Sequence, residues 1–308
     1  MRRISEAERR ARIGVRHHLA RESRASTAAA VARGLVAVHA TDPSSVFLGI
    51  RARSDLTVAD IERELYEERS VIRMLGMRRT MFVVPADLVG VVQAACADAV
   101  AIQQRRTYTK LLTEAGVGDG ALLARAEKAA LRALEARGSA TGAQLSADEP
   151  LLRTTISMNE GKAYAAKQNI TTWVLLLLAA QGRIVRGRPR GSWTSTQYHW
   201  SPMSSWLPGG VTKMPAEVAR AELVRAWLAA YGPGTLADLK WWTGLNVAPI
   251  KQALAAVGAV EVDLDGEVGY VLPGDEEPVP PPKPWIAFLP ALDSTAMGWQ
   301  RRDWYLGE

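Results

Sequence analysis

The last third of the chain alternates helical and strand periodicities in a recognisable order. Apolar spacing and turn residues predict three helices and then two strands, over 217–231, 235–243, 246–257, 260–264 and 268–272. Thr235 with Asp238 is close to a capping-box pattern at the start of the second helix. Asp265-Gly266 between the two strands is a strong hairpin signal. Three helices followed by a hairpin are the plan of a winged helix.

The middle third repeats this plan. Its apolar spacing predicts helices over 122–136, 141–147 and 171–182, and strands over 183–186 and 193–200. The polar stretch 151–169 predicts a loop with a helical turn. The two strands enclose the tip Gly187-Arg188-Pro189-Arg190-Gly191, so this second hairpin carries a strongly basic tip.

The first third is a looser copy of the same plan. The pattern predicts helices over 5–20, 27–38, 44–53, 58–68 and 85–107, with hairpin strands over 70–75 and 79–84. Asp42-Pro43 is typical of a helix start, with a cap followed by proline in the first turn.

These patterns predict a mainly α protein with small β-hairpins, an α+β chain built from three tandem winged-helix units. The expected segments are 1–118, 119–212 and 213–278, followed by a C-terminal segment, 279–308.

Composition excludes several classes of protein. With 48% apolar and 23% charged residues, the chain is expected to be globular and not disordered or coiled-coil. Its longest apolar run, 173–180, is far too short to cross a bilayer. The single cysteine, Cys96, excludes an intramolecular disulfide and a Cys-based zinc site. His17-His18 has no further ligands at metal-binding spacing, so we expect no metal site. We also expect no cofactor and a cytoplasmic location.

The charge is uneven along the chain, although the net charge is only +6. Residues 1–24 hold eight Arg, 183–190 hold four Arg and no acid, and 261–277 hold seven carboxylates and no base. A GC-rich genome also encodes Arg in place of Lys, so the position of the charge along the chain is more informative than the total charge. Arg186, Arg188 and Arg190 in the second hairpin favour contact with DNA phosphates, while a solvated turn is the plain alternative. The acidic third hairpin is expected to point away from DNA.

Three stretches carry a resemblance to a known family. They are Leu75-Gly76-Met77-Arg78-Arg79-Thr80, the sequence from Arg186 through Ser192 to Trp193, and Leu289-Pro290 with Asp293, Gly298 and Arg302. Together, and in this order, they are similar to the AlkZ/YcaQ-like DNA glycosylases. The resemblance implies a three-winged-helix enzyme that removes bulky N-alkylated purines, crosslinks and antibiotic adducts, and that protects producers of DNA-alkylating antibiotics. It also implies a further β-rich segment, so the C-terminal segment is expected to be shortened.

The same resemblance implies the position of the catalytic motif. The family has Gln-x-Gln or Gln-x-Asp there, and this chain has His39-Ala40-Thr41. His39 can accept a proton from the attacking water, and Thr41 can orient that water. The alternative is structural: a histidine at a helix C-terminus, and a threonine or Asp42 that caps the next helix.

The sequence therefore predicts a monomeric, monofunctional DNA glycosylase acting on alkylated purines in duplex DNA, nucleoid-associated in the cytoplasm. Arg78 and Arg79 at the first hairpin tip, the second-hairpin arginines, Ser192 and Trp193 are the expected DNA contacts. A non-catalytic DNA-binding protein, either a regulator or a lesion sensor, is the alternative.

Overall fold

The structure is a computed structural model that describes residues 1–158 and 166–306. It divides into two compact units, one formed by Met1–Cys96 with Lys213–Glu308 and the other by Ala97–Thr212. Helices dominate and the strands form small sheets, so the α+β class is confirmed. The tandem winged-helix interpretation and its four segments stay predictions.

The N-terminal part of the first unit is built around a small antiparallel sheet. Its elements are β1 (Arg2–Arg3), α1 (Glu6–Arg16), α2 (Ala28–Gly34), β2 (Val38–His39), α3 (Pro43–Arg51), α4 (Val58–Arg63), β3 (Val71–Leu75), β4 (Met81–Pro85) and α5 (Val89–Val92). The strand order is β2-β4-β3. Side chains cap two of these helices: Asp42 accepts hydrogen bonds from the first-turn amides of α3, as predicted, and Thr57 forms a capping box on α4.

The helix predicted over 27–38 is wrong at its C-terminal end. Helix α2 stops at Gly34, Val36 takes a positive φ of 60°, and Val38–His39 pairs with β4. The stretch 35–38 is apolar throughout, and a short apolar run does not distinguish helix from strand by its period. This correction places His39 on a strand.

The second unit contains a helical core and two hairpins. Its elements are α6 (Asp98–Glu114), α7 (Gly120–Arg137), α8 (Gly142–Asp148), β5 (Thr155–Met158), β6 (Ala166–Asn169), α9 (Thr171–Ala180), β7 (Ile184–Pro189), β8 (Tyr198–Pro202) and α10 (Met203–Trp206). The apolar face of α7 packs against α9, and Trp173 of α9 stacks on Tyr108 with ring centroids 4.6 Å apart.

Two sequence predictions for this unit are wrong. Strands β5 and β6 pair antiparallel where a loop was expected over 151–169, although part of that stretch, 159–165, lies outside the described residues. Strand β8 begins at Tyr198 rather than at 193. Instead, the hydroxyls of Ser192 and Thr194 form a hydrogen bond across a turn, with Oγ and Oγ1 2.7 Å apart. The pairing of β7 with β8 is also irregular between Arg186 and Pro189.

The C-terminal part of the first unit follows the predicted order closely. Its elements are α11 (Ala216–Tyr231), β9 (Gly234–Thr235), α12 (Leu236–Thr243), α13 (Val247–Ala256), β10 (Val260–Leu264), β11 (Glu267–Val271) and α14 (Asp303–Leu306). Asp265 and Gly266 both have positive φ, as a tight hairpin turn requires. The hairpin is extended on both sides into the sheet β1-β10-β11-β9, in which β1 from the chain's start pairs parallel to β10.

One helical stretch, 86–114, is long and apolar enough to span a membrane by length and composition alone. Half of its most apolar window is buried inside the protein, and the core helix of a globular protein passes the same test. The stretch is therefore weak evidence for a membrane segment.

Candidate active site

His39 lies on β2 with its ring in a mostly buried position. The ring packs edge-on against Phe82 of β4 (centroids 5.5 Å apart), and the residue is 5% exposed. Nδ1 is buried and has no hydrogen-bond partner among the residues that the structure describes. Because water does not reach Nδ1, any proton exchanged with solvent passes through Nε2.

The surroundings of His39 favour its neutral form. Burial lowers the pKa of the imidazole, and the positive charge of Arg78 lowers this pKa further, while Asp293 and Asp42 oppose the shift. A neutral imidazole at pH 7 has a lone pair available, so His39 is able to accept a proton.

Thr41 and Asp42 follow His39 at the exposed start of α3. The Asp42 carboxylate accepts hydrogen bonds from the Ser45 amide (3.2 Å) and from the hydroxyls of Ser44 and Ser45. These bonds, led by that of Ser44, hold the pKa of Asp42 below its ordinary value. The predicted capping role of Asp42 is thereby confirmed, and the carboxylate is an anion beside His39.

The backbone of β2 is held by a residue far along the chain. The His39 amide donates to Ser294 Oγ (3.0 Å), and the Ser294 hydroxyl donates to the Ala37 carbonyl (2.9 Å). Ser294 follows Asp293, one of the residues that carry the family resemblance. Sequence reasoning missed Ser294, because nothing in the local pattern signals a partner 255 residues away.

Asp293 forms a sealed ion pair with Arg53. The guanidinium donates twice to the carboxylate, over 2.9 and 2.6 Å, and the two side chains are 2% and 0% exposed. Arg53 also donates to Thr295 Oγ1 (2.7 Å) and to the Gly49 carbonyl (2.7 Å). This pair fixes the segment that carries Ser294 against α3.

His17 completes the buried network. Its Nδ1 lies 2.8 Å from Thr295 Oγ1 and its Nε2 lies 3.1 Å from the Ala230 carbonyl. A carbonyl only accepts, so Nε2 carries the proton and Nδ1 accepts from the Thr295 hydroxyl. Complete burial, with the charge of Arg53, drives the pKa of His17 well below its ordinary value.

The stability of the folded protein is expected to fall as the pH is lowered, because of His17. Below about pH 6.5 the unfolded chain binds a proton on this histidine while the folded protein does not, so unfolding becomes more favourable as pH falls. The loss should reach up to about 1.4 kcal/mol per pH unit from this group. Urea unfolding between pH 5 and 7.5 measures it, and His17→Gln should flatten the dependence. Tyr231→Phe, which removes a hydroxyl bonded to the Leu35 carbonyl in the same core, is the control: it should lower stability equally at every pH.

The first hairpin tip lies against α12. Arg78 and Arg79 are exposed and both have positive φ, and the Arg78 guanidinium lies 4.3 Å from the centre of the Trp241 ring. Gly244 makes this approach possible, since a Cβ there would lie 3.1 Å from Arg78 Cγ. Arg302 covers the same indole at 5.2 Å. Partial burial, with repulsion from Arg302, lowers the pKa of Arg78.

Two of the three tryptophans in the segment 213–278 are buried, and one is not. Trp227 and Trp242 are in the core, whereas Trp241 is half-buried beneath the two guanidinium groups. Gly298 lies against the ring of Tyr231, where a Cβ would come within 2.6 Å of Cδ1. Gly298 is therefore a packing residue, whereas Arg302 joins Arg78 at the surface.

The basic hairpin of the second unit forms a cleft of about 470 Å³. Arg186 lies over Trp200 (5.1 Å) and Tyr198 (5.4 Å), while Arg190 lines the same cleft. Arg188 and Ser192 are exposed, and Trp193 is half-buried. The cleft combines aromatic faces with guanidinium groups, which suits a phosphate-bearing polymer.

The N-terminal arginines pair with the acidic run. Arg12 and Arg16 bind Asp275, Arg3 binds Asp265, and Arg301 from near the C-terminus binds Glu267. The acidic hairpin is thus partly neutralised by the protein's own cations. The complementary charge of the two chain regions was visible in the sequence, but their pairing was not.

Other reactive groups are few in the described residues. Within residues 1–158 and 166–306, no group of three or more His, Cys, Asp or Glu side chains is arranged so that it could hold a metal ion. Cys96 is buried, which raises the pKa of its thiol to about 12.

Comparison with known proteins identifies the family of the chain. The sequence model of one family, described as DNA glycosylase AlkZ-like, matches residues 32–308, a range that includes His39, both basic hairpins and the Asp293–Ser294 segment. The chain belongs to the AlkZ-like DNA glycosylase family. The family's activity makes DNA the partner and cleavage of an N-glycosidic bond the reaction.

A solved structure shares the fold. The Streptomyces sahachiroi DNA glycosylase AlkZ is similar with a TM-score of 0.67 and 18% identity, over 91% of this chain and 73% of that one. None of the curated protein sequences compared with the chain matches it.

Proposed function

We propose that this AlkZ-like protein is a monofunctional glycosylase that hydrolyses the N-glycosidic bond of bulky or N-alkylated purines in duplex DNA. One observation carries the proposal: His39, a buried imidazole whose pKa is lowered by its surroundings, is followed by the exposed residues Thr41 and Asp42 at the start of α3. The protein then acts as a nucleoid-associated cytoplasmic monomer that repairs alkylation damage and protects against DNA-alkylating antibiotics.

The proposed reaction is a displacement by water at C1′ of the deoxyribose. The bond from the water oxygen to C1′ forms as the bond from C1′ to the purine nitrogen breaks. The water's proton passes to His39 Nε2, and the electron pair of the broken bond goes to the purine. An N7-alkylpurine is cationic before cleavage and neutral afterwards, so its departure needs no general acid.

The neighbouring groups have supporting roles. We assign Thr41, two residues after His39, to orienting the water that His39 deprotonates. The negative charge of Asp42 stabilises positive charge that develops on the sugar and on the imidazole. Ser294 keeps β2 in place while the proton moves.

The direct test is release of the base from a duplex with one N7-methylguanine. The proposal predicts free base and abasic sites that alkali converts to strand breaks, with no borohydride-trapped covalent adduct. Binding to the duplex without abasic sites would favour the alternative, a regulator or a lesion sensor. A trapped adduct would show a lyase instead.

The arginines of the second hairpin are expected to hold phosphates. Replacing Arg186, Arg188 and Arg190 with Ala should weaken binding to damaged and undamaged duplex alike, and the log–log salt slope should fall by about 0.9 for each phosphate that is no longer bound. Fluorescence anisotropy measures the affinity and its salt slope between about 50 and 200 mM salt, a range over which phosphate contacts change the affinity strongly.

A matched control removes the same charge elsewhere in that unit. Arg125, Lys128 and Arg132 are exposed on α7, so their triple alanine variant also removes three positive charges. Its salt slope should stay near that of the wild type. Equal slopes for the two triple variants would mean that the second hairpin contributes only net charge.

A further inference from the structure

Leu292 combines two unfavourable features next to the candidate active site. Its φ is +61°, in the left-handed region that a branched L residue rarely adopts, and 45% of it is exposed. Such strain persists only where the surrounding structure enforces it, and it collects at functional sites. An exposed leucine in a strained backbone is therefore a candidate for a role outside the protein's own core.

Both neighbours of Leu292 are anchored. On one side, the Ala291 carbonyl lies 3.0 Å from Ser45 Oγ, which also lies 3.0 Å from the Asp42 carboxylate. On the other side, Asp293 is sealed against Arg53. These anchors hold Leu292 rigidly, within two residues of the Ser294 hydroxyl that binds the His39 amide.

The surface that continues from Leu292 is apolar and bordered by positive charge. Ile286 and Phe288 are 82% and 89% exposed, and Phe288 lines a cleft of about 540 Å³ with Leu48 and Arg51 of α3. Arg24 and Asp55 also line this cleft, but they pair with each other, so Arg51 supplies its positive charge. An exposed apolar ridge beside a cation is the arrangement with which proteins wedge side chains between base steps while holding the phosphates. The charge of Arg51, and the link from this segment to His39 through the Ser294 hydrogen bond, point to duplex DNA as the occupant of this surface.

We propose that Leu292 inserts into the base stack beside the alkylated purine and so holds the lesion's glycosidic bond at His39. The inference rests on the proposed function. The strain at Leu292 is the means by which the apolar side chain is presented to DNA, because the contacts of Ala291 and Asp293 hold the backbone between them in this conformation.

The test distinguishes a side chain that wedges between DNA bases from a residue that is merely strained. Leu292→Gly fits the left-handed backbone, so its melting temperature should rise, while kcat/KM for release of N7-methylguanine should fall by roughly tenfold or more. Leu292→Met keeps an apolar side chain of similar volume and should retain most of the activity. Ile102→Ala removes a similarly exposed apolar side chain in the second unit and should change neither.

A second readout does not depend on catalysis. With 2-aminopurine next to the lesion, binding of the wild type should raise fluorescence by unstacking, and Leu292→Gly should bind with little rise. If Leu292→Gly matches the wild type in both fluorescence and base release, the wedge is wrong. If no variant releases base but the fluorescence still depends on Leu292, the glycosylase proposal fails and the DNA contact stands. If even the wild type leaves the fluorescence unchanged, the wedge is wrong whatever the activity.

Discussion

His39→Ala is expected to reduce base release by at least about 100-fold, the typical contribution of a general base. In the proposed mechanism the imidazole takes a proton from water and makes no contact with DNA, so affinity for undamaged duplex should stay within about twofold. Single-turnover release of N7-methylguanine measures the first effect and fluorescence anisotropy the second. Circular dichroism checks that removal of the ring that packs on Phe82 has left the fold intact.

Two further variants separate proton transfer from positioning. His39→Gln can hydrogen-bond the water but cannot accept its proton, so it should be nearly as slow as His39→Ala. Thr41→Ala should have a smaller effect, because solvent more easily replaces a hydroxyl that only orients the water. A His39→Ala protein that releases base at the wild-type rate would remove this residue from the mechanism.

The pH profile gives an independent check. Burial and Arg78 lower the pKa of His39, so the imidazole stays neutral and active down to a pH below its ordinary value of about 6.5. Release by the wild type should fall only below that pH, whereas the residual rate of His39→Gln should lack this step.

Local signals explain what the sequence predicted well. The Thr235–Asp238 capping box, the Asp265-Gly266 turn and the Asp42 cap each depend on residues three or fewer positions apart. The C-terminal helices and hairpin were therefore predicted to within a few residues.

Long-range contacts explain what the sequence could not predict. Strand β2 forms because it pairs with β4, more than 40 residues later, and its apolar residues alone are compatible with helix. Ser294 and Asp293 reach β2 and α3 from more than 200 residues away. Composition reveals complementary charge, but it does not reveal which arginine meets which carboxylate.

Asp293→Ala is expected to destabilise the protein by about 3–5 kcal/mol, because it leaves the fully buried Arg53 guanidinium without its counter-ion. Urea unfolding at pH 7.5 measures the loss, with His17 neutral in both states. Asp87→Ala is the matched control: Asp87 pairs with Arg33 over 2.7 Å, but both side chains are more than half exposed, so its removal should cost less than about 1 kcal/mol.

The double variant Arg53→Met with Asp293→Leu distinguishes the cost of an unpaired buried charge from the cost of removing the ion pair itself. It removes both ions and fills the space with apolar side chains, so it should be markedly more stable than Asp293→Ala although it also removes the bonds to Thr295 and Gly49. If Asp293→Ala instead costs no more than Asp87→Ala, water reaches Arg53 and the pair is not sealed. In that case Ser294 would not be rigidly held, and the positioning of His39 through the β2 backbone would have to come from the pairing with β4 alone.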